Sequence, residues 1–369
     1  MISASRADTS TLGRWWWTVD RWTLAALLLL IGFGYVMMLA TAVRGASDAP
    51  LLLRQVTFLA AAGVILIGVS AASPQQVRWM AWAGLALALA AVALTLVAGV
   101  QDKGARRWLA VPGLGTGQPS ELLKPCLAVI SGWLLAEAKL NRRLLPLLGV
   151  LGLIGLAGVL LLLQPDFGML MVVGAVFVAQ LFISGISLVL VALLGAGLVA
   201  ALILGWLFLP HVRSRIERFW NPEAGDNFQV ERSLQAFGHG GLLGRGPGEG
   251  HLKTSLPDAR NDFVLAVIGE EYGLVACLLV LALFAFIVVR GLFRLLDERE
   301  PFVALAAAGL LTQFGLQAFV NMASTLGSIP TKGMTLPFVS HGGSSILGIA
   351  LGMGMLLALT RRRPGRQGT

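Results

Sequence analysis

The sequence predicts an all-α polytopic membrane protein with about ten transmembrane helices and one large extracytoplasmic loop between helices 7 and 8. Of its 369 residues, 56% are hydrophobic and only 13% are charged, whereas about a quarter of the residues of a soluble domain are charged. Apolar runs of about 17 to 25 residues, long enough to cross a bilayer as helices, recur along the whole chain. The short alternating apolar segments of a transmembrane β-barrel are not found.

The ten predicted spans follow one another from the first apolar run to the last. The first run is interpreted as a span and not as a signal peptide, because no small-residue cleavage site follows it. The apolar block from 144 to 209 is divided into three spans by the proline and glycine of "QPDFG" and "SGIS". Cys126 and Cys277 fall inside spans and are predicted to be free thiols that pack as small hydrophobes. The spans lie near 22–42, 55–73, 79–100, 122–138, 144–163, 168–184, 188–209, 263–289, 302–321 and 344–360.

The distribution of positive charge predicts the orientation in the membrane. With ten spans both termini lie on one side, and placing them inside leaves 14 of the 28 Lys and Arg residues on the inner segments. Seven of the others lie in the long 210–262 loop, where the positive-inside rule is weak. The prediction is a cytoplasmic N-terminal tail (1–21), a single ten-helix membrane domain (22–360) with its large loop (210–262) outside, and a cytoplasmic C-terminal tail (361–369).

The remaining cations lie on the predicted outer face, against the insertion bias, together with all four histidines. Because topology explains half of the cations, the net charge of +9 does not indicate nucleic-acid binding. A cationic surface beside a bilayer favours an anionic ligand, most simply a lipid phosphate or pyrophosphate. For any single arginine, contact with lipid headgroups is the alternative. The outer cations include Arg106, Arg107, Lys124, Arg213, Arg215, Arg218, Arg232, Arg245, Lys253, Arg260 and Lys332.

The segment "KGARRWLAVPGLGTGQPSELLK" joins the third and fourth spans. Ser120 is interpreted as a helix N-cap, with Glu121 in the first turn. Glu121 and Lys124 are three residues apart and therefore share a helix face. A capped helix start with one surface ion pair is the alternative to a binding role, but it does not account for Arg106 and Arg107.

Two aspartates lie at the ends of apolar segments. Asp166, in "QPDFG", is either a costly buried carboxylate with a function or a turn residue that binds its own backbone. Asp262 directly precedes the apolar "FVLAVIGEE" and is a good N-cap candidate as well as a candidate catalytic group. Glu270 and Glu271 further along could pair with inner cations or support the site.

Two connections are rich in glycine. The first, "FGHGGLLGRGPGEG", matches neither a Walker A motif nor G-x-G-x-x-G, so a nucleotide site is excluded, although flexible backbone could still present N–H groups to an anion. The second, "TLGSIPTKGMTLPFVSHGGSS", carries Lys332 and Ser344 before the last span. Its Ser340–His341 pair lacks the G-x-S-x-G elbow of a hydrolase.

Six stretches together resemble the SEDS family (shape, elongation, division and sporulation), and they resemble its division members more than its elongation members. The family commonly has His-Thr where this chain has Arg260 and Asn261, and Tyr where this chain has His341. They occur in the family's order between Gly104 and Ser345: "GARRW", "QPSELLK", "QPDFG", "FQVERSLQAFGHGGLLGRGPGEG", "LPDARNDFVLAVIGEE" and "PTKGMTLPFVSHGGSS".

The resemblance implies a peptidoglycan glycosyltransferase that polymerises lipid II, a disaccharide-pentapeptide on undecaprenyl pyrophosphate. It implies that Asp262 is the catalytic residue. The chemistry agrees, because the attacking sugar hydroxyl needs a base while the pyrophosphate leaving group, already a stable anion, needs cations and no protonating acid. One carboxylate therefore suffices, in contrast to glycoside hydrolysis. The predicted substrate-binding residues are Arg106, Arg107, Lys124, Glu121, Arg245, Lys253, Lys332 and Ser344.

The same resemblance implies a class B penicillin-binding transpeptidase and other divisome membrane proteins as partners. It places the chain at the division septum in the bacterial cytoplasmic (inner) membrane, among membrane lipids and without nucleic acid. A Cys/His metal cluster is not found in the sequence, but a divalent cation (Mg²⁺ or Mn²⁺) bridging the pyrophosphate stays open. Two alternatives stay open: a lipid II flippase or transporter, which would use the same cations without a base, and a non-catalytic divisome scaffold held by partner contacts alone.

Overall fold

The computed structural model describes residues 10–41, 49–102, 105–111, 115–221, 228–251, 255–256 and 258–362. These residues form thirteen α-helices and one small sheet. Ten of the helices coincide with the predicted spans: α2 (Arg21–Thr41), α3 (Ala49–Ser70), α4 (Pro74–Ala98), α5 (Ser120–Asn141), α6 (Leu144–Leu163), α7 (Phe167–Ser184), α8 (Leu188–Phe208), α11 (Val264–Leu296), α12 (Pro301–Thr325) and α13 (Gly343–Leu359). Three shorter helices were not predicted: α1 (Thr11–Thr18), α9 (Pro210–Trp220) and α10 (Phe228–Gly240).

The prediction of an all-α polytopic membrane protein is confirmed. Eight of the described helices are long and apolar enough to cross a bilayer, namely α2, α3, α4, α6, α7, α8, α11 and α12. Helix α13 is apolar but has only 17 residues, and α5 carries Glu121 and Lys124 in its first turns. The number of ten crossings therefore stays a prediction.

Helix α12 lies at the centre of the bundle and α8 at its periphery, because α12 is mostly buried and α8 mostly exposed. Helix α12 packs against α5, α7, α11 and α13, and α5 also packs against α4 and α6. The predicted free thiols Cys126 and Cys277 are confirmed as buried and unpaired with each other. Polar groups at the end of α12 where it meets Asp262 are thereby placed in the middle of the molecule.

The predicted 210–262 loop is more ordered than its composition indicates. It contains α9 and α10, and the glycine-rich segment that follows α10 is bound to the backbone of α11. Arg245 N donates to Glu270 O at 3.0 Å and Gly246 N to Glu271 O at 3.0 Å. A Cβ on Gly244 would lie 2.3 Å from Glu271 O. The glycines therefore permit two backbones to come into contact. The N–H groups of Arg245 and Gly246 bond to α11 and are not presented to an anion.

Helix α11 is broken at Gly273, where the sequence predicts one continuous span. Gly273 has φ 77° and ψ −177°, a combination essentially restricted to glycine. A Cβ there would lie 2.4 Å from Leu242 O. The break is thus the place where the glycine-rich segment meets the helix.

A three-stranded antiparallel sheet, absent from the prediction, joins α4 to α5. It consists of β1 (Val100–Asp102), β2 (Ala105–Val111) and β3 (Gly115–Gly117), in that order. Successive side chains of a strand point to opposite faces. Arg106 and Arg107, neighbours on β2, therefore point in different directions.

The opposite end of the bundle is tied together by a buried aspartate. Asp20, between α1 and α2, accepts hydrogen bonds from Arg290 Nε and Nη2, both at 2.8 Å, and lies 2.8 Å from Arg294 Nε. Burial favours a raised pKa for Asp20, but the hydrogen bonds from Arg290 and Thr23 outweigh it and hold the pKa below its ordinary value. Arg294 also donates to Thr360 O at 3.0 Å, so both chain ends meet here.

Candidate functional site

A cavity of about 380 Å³ opens between α7, α8, α9, α12 and the connection from 326 to 342. Its wall is apolar, and its rim is polar and largely cationic. The wall includes Phe167, Met171, Val172, Ala175, Leu202, Leu316 and Val320, and the rim includes Arg107, Asp166, His211, Arg215 and Lys332. An apolar cavity with a cationic rim fits a lipid with an anionic headgroup.

Asp166 and Arg107 lie together at one side of the rim. Asp166 caps α7 by accepting from Met169 N at 3.2 Å, and it also accepts from Gln118 Nε2 at 3.1 Å. Its Oδ1 lies 3.9 Å from Arg107 Nη1. Arg107 Nε donates to Gln164 O at 3.2 Å and Nη2 donates to Pro165 O. Asp166 is thus a turn residue that binds its own backbone, as one interpretation predicts, and it is buried beside a cation.

Lys332 enters the rim across Gly168. Its aliphatic stem lies so close to this glycine that a Cβ there would be 2.1 Å from Lys332 Cε. The Nζ is 2.9 Å from Met334 Sδ, a weak acceptor. Burial lowers the pKa of Lys332 to about 7, against the opposing effect of Asp166. The glycine of "QPDFG" is therefore needed to admit the lysine.

Asp262 is held by its main chain against α12. Its N–H donates to Asp258 O at 3.0 Å. Its carbonyl accepts from Asn321 Nδ2 at 2.8 Å and from Thr325 Oγ1 at 3.3 Å. Asn321 Nδ2 also donates to Met334 O at 2.6 Å, so the same amide holds the Lys332 connection. These main-chain bonds fix the position of Asp262 beside the Lys332 connection.

The N-cap interpretation of Asp262 is wrong. Helix α11 begins at Val264, and its N-cap is Phe263 without a side-chain hydrogen bond. The half-buried carboxylate instead points to Gly333, where a Cβ would lie 3.1 Å from Asp262 Oδ2. Gly333 has φ 71°, a left-handed conformation that suits glycine. The residue after Lys332 thus makes room for the carboxylate.

Arg215, on α9, connects the two aspartates electrostatically. Burial lowers its pKa, and Arg107 and Arg218 lower it further, while Asp166 and Asp262 oppose the shift. Both carboxylates therefore act on one guanidinium. Arg215 also lines a second cavity of about 240 Å³, which shares Ile329, Pro330 and Thr331 with the first.

Glu121 and Lys124 form a buried pair, and the prediction of a surface pair is wrong. Their side chains are 9% and 1% exposed, and Lys124 Nζ lies 2.9 Å from Glu121 Oε2. Lys124 also donates to Gln317 Oε1 at 2.8 Å, and Gln317 Nε2 donates to Thr335 O at 3.1 Å. This network supports the 326–342 connection from below. Ser120 is not the N-cap, because Pro119 takes that position without a side-chain bond.

Three other predicted substrate-binding residues do not line the cavity. Arg106 is exposed on the opposite face of β2. Arg245 is exposed, and its Nε donates to His239 O at 3.2 Å. Ser344 Oγ accepts from Gln118 N at 3.1 Å. Lys253 lies outside the described residues. Of the predicted set, Arg107 and Lys332 line the cavity.

Glu270 and Glu271 hold the glycine-rich segment on α11. Glu270 Oε1 accepts from His251 N at 3.0 Å, and Glu271 Oε2 accepts from Gly248 N at 2.9 Å. Both carboxylates are buried. Their observed role is thus to bind backbone N–H groups, and pairing with inner cations is not what these bonds show.

The sequence interpretation missed Asn321 as a clamp. It placed Arg215 and His211 among the charged groups of the outer face but did not select them as substrate-binding residues. A signal for Asn321 was present, because Gln313, Gln317 and Asn321 follow one another at four-residue spacing inside an apolar span and so share one face. Among the described residues, three or more His, Cys, Asp or Glu side chains placed to hold a metal ion are not found. The reaction proposed for this chain involves only its own side chains.

Comparisons with known proteins agree with this architecture. The model of the cell cycle protein family that contains FtsW, RodA and SpoVE matches residues 20–364. The "probable peptidoglycan glycosyltransferase FtsW" of Caulobacter vibrioides is 39% identical over 99% of this chain and 95% of that protein. The protein of the same name from Trichlorobacter lovleyi is 34% identical over 91% and 92%.

Solved structures have the same fold. A chain from a structure described as the structural coordination of polymerization and crosslinking by a peptidoglycan synthase complex has a TM-score of 0.74, with 26% identity over 93% of this chain and 97% of that chain. The rod shape determining protein RodA of Thermus thermophilus has a TM-score of 0.69, with 27% identity over 94% and 97%.

Proposed function

The chain belongs to the cell cycle protein family of FtsW, RodA and SpoVE, also called SEDS, and from that premise we propose that this peptidoglycan glycosyltransferase polymerises lipid II with Asp262 as general base. The observation that carries the proposal is the position of Asp262. Its carboxylate lies against Gly333, next in the chain to Lys332, which lines the apolar cavity together with Arg107. The base thus lies beside the residue that follows one cavity-lining cation, Lys332, and acts electrostatically on another, Arg215.

The reaction follows from these positions. The hydroxyl oxygen of one sugar attacks the anomeric carbon of the second sugar. As this bond forms, the carboxylate of Asp262 accepts the proton of the hydroxyl. The bond from that carbon to the pyrophosphate oxygen breaks, and its electron pair leaves with undecaprenyl pyrophosphate. Arg107, Arg215 and Lys332 stabilise the negative charge of the leaving group. The apolar wall holds the polyprenyl chain.

The two neighbouring arginines of β2 should differ sharply when replaced. We expect Arg107→Ala to lower kcat/KM for lipid II. The corresponding loss of transition-state stabilisation is about 1.5–3 kcal/mol, the usual contribution of a hydrogen bond to a charged group. Arg106→Ala, on the opposite face, should stay within about 0.5 kcal/mol of the unmodified protein. Initial rates of glycan formation by the two purified variants test this, with unfolding curves as the control for folding.

Equal losses of kcat/KM from the two variants would contradict the placement of Arg107 at the pyrophosphate. A loss of kcat/KM in Arg107→Ala that follows a loss of folded protein would assign Arg107 to structure alone, since Arg107 also holds Gln164 O and Pro165 O.

Lipid II binding should weaken as the pH rises. Lys332 is cationic below its pKa of about 7 and neutral above it. If only the cationic form binds, the Kd for lipid II increases about tenfold between pH 6 and pH 8. The pyrophosphate of lipid II is esterified at both ends and does not titrate in this range. Burial and the cations Arg215 and Arg107 lower the pKa of His211 from its ordinary value.

Lys332→Arg is the matched control, because arginine stays protonated at these pH values. Its Kd for lipid II should be independent of pH between 6 and 8. The same tenfold change in the arginine variant would show that another group titrates. A flat profile in the unmodified protein would remove Lys332 from the binding site.

The transporter alternative uses the same cations, and one observation favours it, namely the polar stripe of Gln313, Gln317 and Asn321 along α12. The space below Lys124 along this stripe, lined by Ser131, Gln180 and Gln313, has a volume of about 10 Å³. That is room for about one water molecule and not for a disaccharide. In this conformation the sugars stay on the side of Asp262.

We further propose that the partner is a class B penicillin-binding transpeptidase, with other divisome membrane proteins, at the division septum of the inner membrane. The names of the relatives and the peptidoglycan synthase complex among the structural neighbours support this.

The charge count supports cytoplasmic termini. A cysteine replacing the exposed Arg213 should react with an impermeant reagent in intact spheroplasts, and a reaction only after permeabilisation would reverse the orientation.

A further inference from the structure

Two neighbouring leucines at the tip of the glycine-rich segment are highly exposed. Leu242 is 68% exposed and Leu243 is 81% exposed. They lie between Gly241 and Gly244, whose φ angles of 56° and 82° fix a tight turn. Exposure of this pair to water is unfavourable, because burying one leucine side chain lowers the free energy by about 1.5–3 kcal/mol.

The tip is attached rigidly to α11. Leu274 N donates to Gly241 O at 2.9 Å, and Val275 N donates to Leu242 O at 3.2 Å. These main-chain bonds occur at the break at Gly273, where the helix leaves N–H groups unpaired. The two leucines therefore lie at the same height along the bundle as Leu274 and Val275.

Leu274 also marks the start of the lipid-facing surface of α11. From Val264 to Glu271 every residue is buried, whereas exposed apolar side chains begin at Leu274 and continue to Leu296. At 1.5 Å per residue this stretch is about 33 Å long, close to the hydrocarbon thickness of about 30 Å. The exposed series is Leu274, Val275, Leu278, Leu279, Leu281, Phe286, Val289, Leu292, Phe293 and Leu296. Leu274 thus lies at one edge of the hydrocarbon.

Two polar side chains flank the tip in the chain. His239 and Arg245 are both exposed, and Arg245 Nε donates to His239 O at 3.2 Å. Apolar side chains at the hydrocarbon edge with a cation beside them are typical of a segment that lies in the membrane interface.

We propose that Leu242 and Leu243 insert into the edge of the lipid leaflet on the Asp262 side and hold the glycine-rich segment at a fixed depth. The occupant of this apolar surface is lipid, because the surface continues the lipid-facing stripe of α11. Through Glu270 and Glu271, which bind the same segment, the insertion also fixes the height of the first turns of α11 above the bilayer.

The test measures the surroundings of residue 243 in the full chain. Leu243→Cys is labelled with a nitroxide, reconstituted into phosphatidylglycerol–phosphatidylethanolamine vesicles, and examined by electron paramagnetic resonance. Collision with oxygen, which concentrates in hydrocarbon, is compared with collision with a water-soluble nickel chelate. Leu279→Cys, on the lipid-facing stripe, is the positive control. Unmodified chain treated with the reagent corrects for Cys126 and Cys277, which are buried.

The expected result is oxygen accessibility above nickel accessibility at position 243, as at 279, and the reverse at Glu249 later in the same segment. Nickel accessibility above oxygen accessibility at 243 would place the tip in water and overturn the proposal. Low accessibility to both, with dipolar broadening between labels, would show that a second copy of the chain covers the tip, and would overturn it equally.

Discussion

Asp262→Asn should form glycan chains more slowly by a factor on the order of 10² to 10⁴, the loss expected when a positioned base is removed. Asparagine has nearly the same size and lacks only the basicity. The main-chain bonds of this residue to Asp258, Asn321 and Thr325 are unchanged in the variant, and asparagine keeps one side-chain oxygen as an acceptor. The variant should therefore fold, bind lipid II and keep its transpeptidase partner.

Asp258→Asn is the matched control for this experiment. It removes a carboxylate four residues away in the same segment, and asparagine tolerates the left-handed φ of 56° at this position. We expect the control to polymerise lipid II at close to the normal rate. If Asp262→Asn polymerises as fast as Asp258→Asn, Asp262 is not the base.

Glu121→Gln should be the most destabilising of the substitutions considered, with a loss of about 3–5 kcal/mol in the free energy of unfolding. The change leaves the ammonium of Lys124, which is 1% exposed, buried without its 2.9 Å partner. An uncompensated buried charge is far more costly than the absence of both charges. Denaturant titration of the purified variants in detergent measures the effect.

The double variant Glu121→Gln/Lys124→Met distinguishes structure from binding. Because it removes both charges, most of the lost stability should return, a coupling that a double-mutant cycle measures directly. It should then polymerise lipid II at nearly the normal rate per folded molecule. A stable double variant without polymerisation would restore the prediction that Glu121 and Lys124 contact the substrate.

The fold was predictable from the sequence because hydrophobic runs of membrane length are a strong local signal. The three helices of 8 to 13 residues were missed because they are amphipathic and short. The sheet between α4 and α5 was also missed. Its strands have only three to seven residues, and its central strand contains two adjacent arginines, which in the sequence form one basic cluster. Only the strand geometry separates Arg106 from Arg107.

The site was predictable to the extent that chemistry alone selects residues. A lone aspartate before a span and a lysine between prolines and glycines were selected as candidates, and the structure brings the aspartate against the residue that follows the lysine. The burial of Glu121 and Lys124 was not visible, because it depends on α12 packing over α5. Arg260 and His341, which differ from the usual family residues, also proved to be spatial neighbours: His341 N donates to Arg260 O at 2.8 Å. Their separation of about 80 positions in the chain conceals this.

The chain is proposed to catalyse polymerisation, and not merely to bind lipid II or move it across the membrane. Purified chain, reconstituted with its transpeptidase partner whose crosslinking is blocked, is given purified lipid II, and the products are separated by length. The predicted result is long glycan strands from the unmodified chain and almost none from Asp262→Asn. The contradictory result is lipid II that stays monomeric but crosses the vesicle membrane at the same rate with both proteins, which would make the chain a transporter.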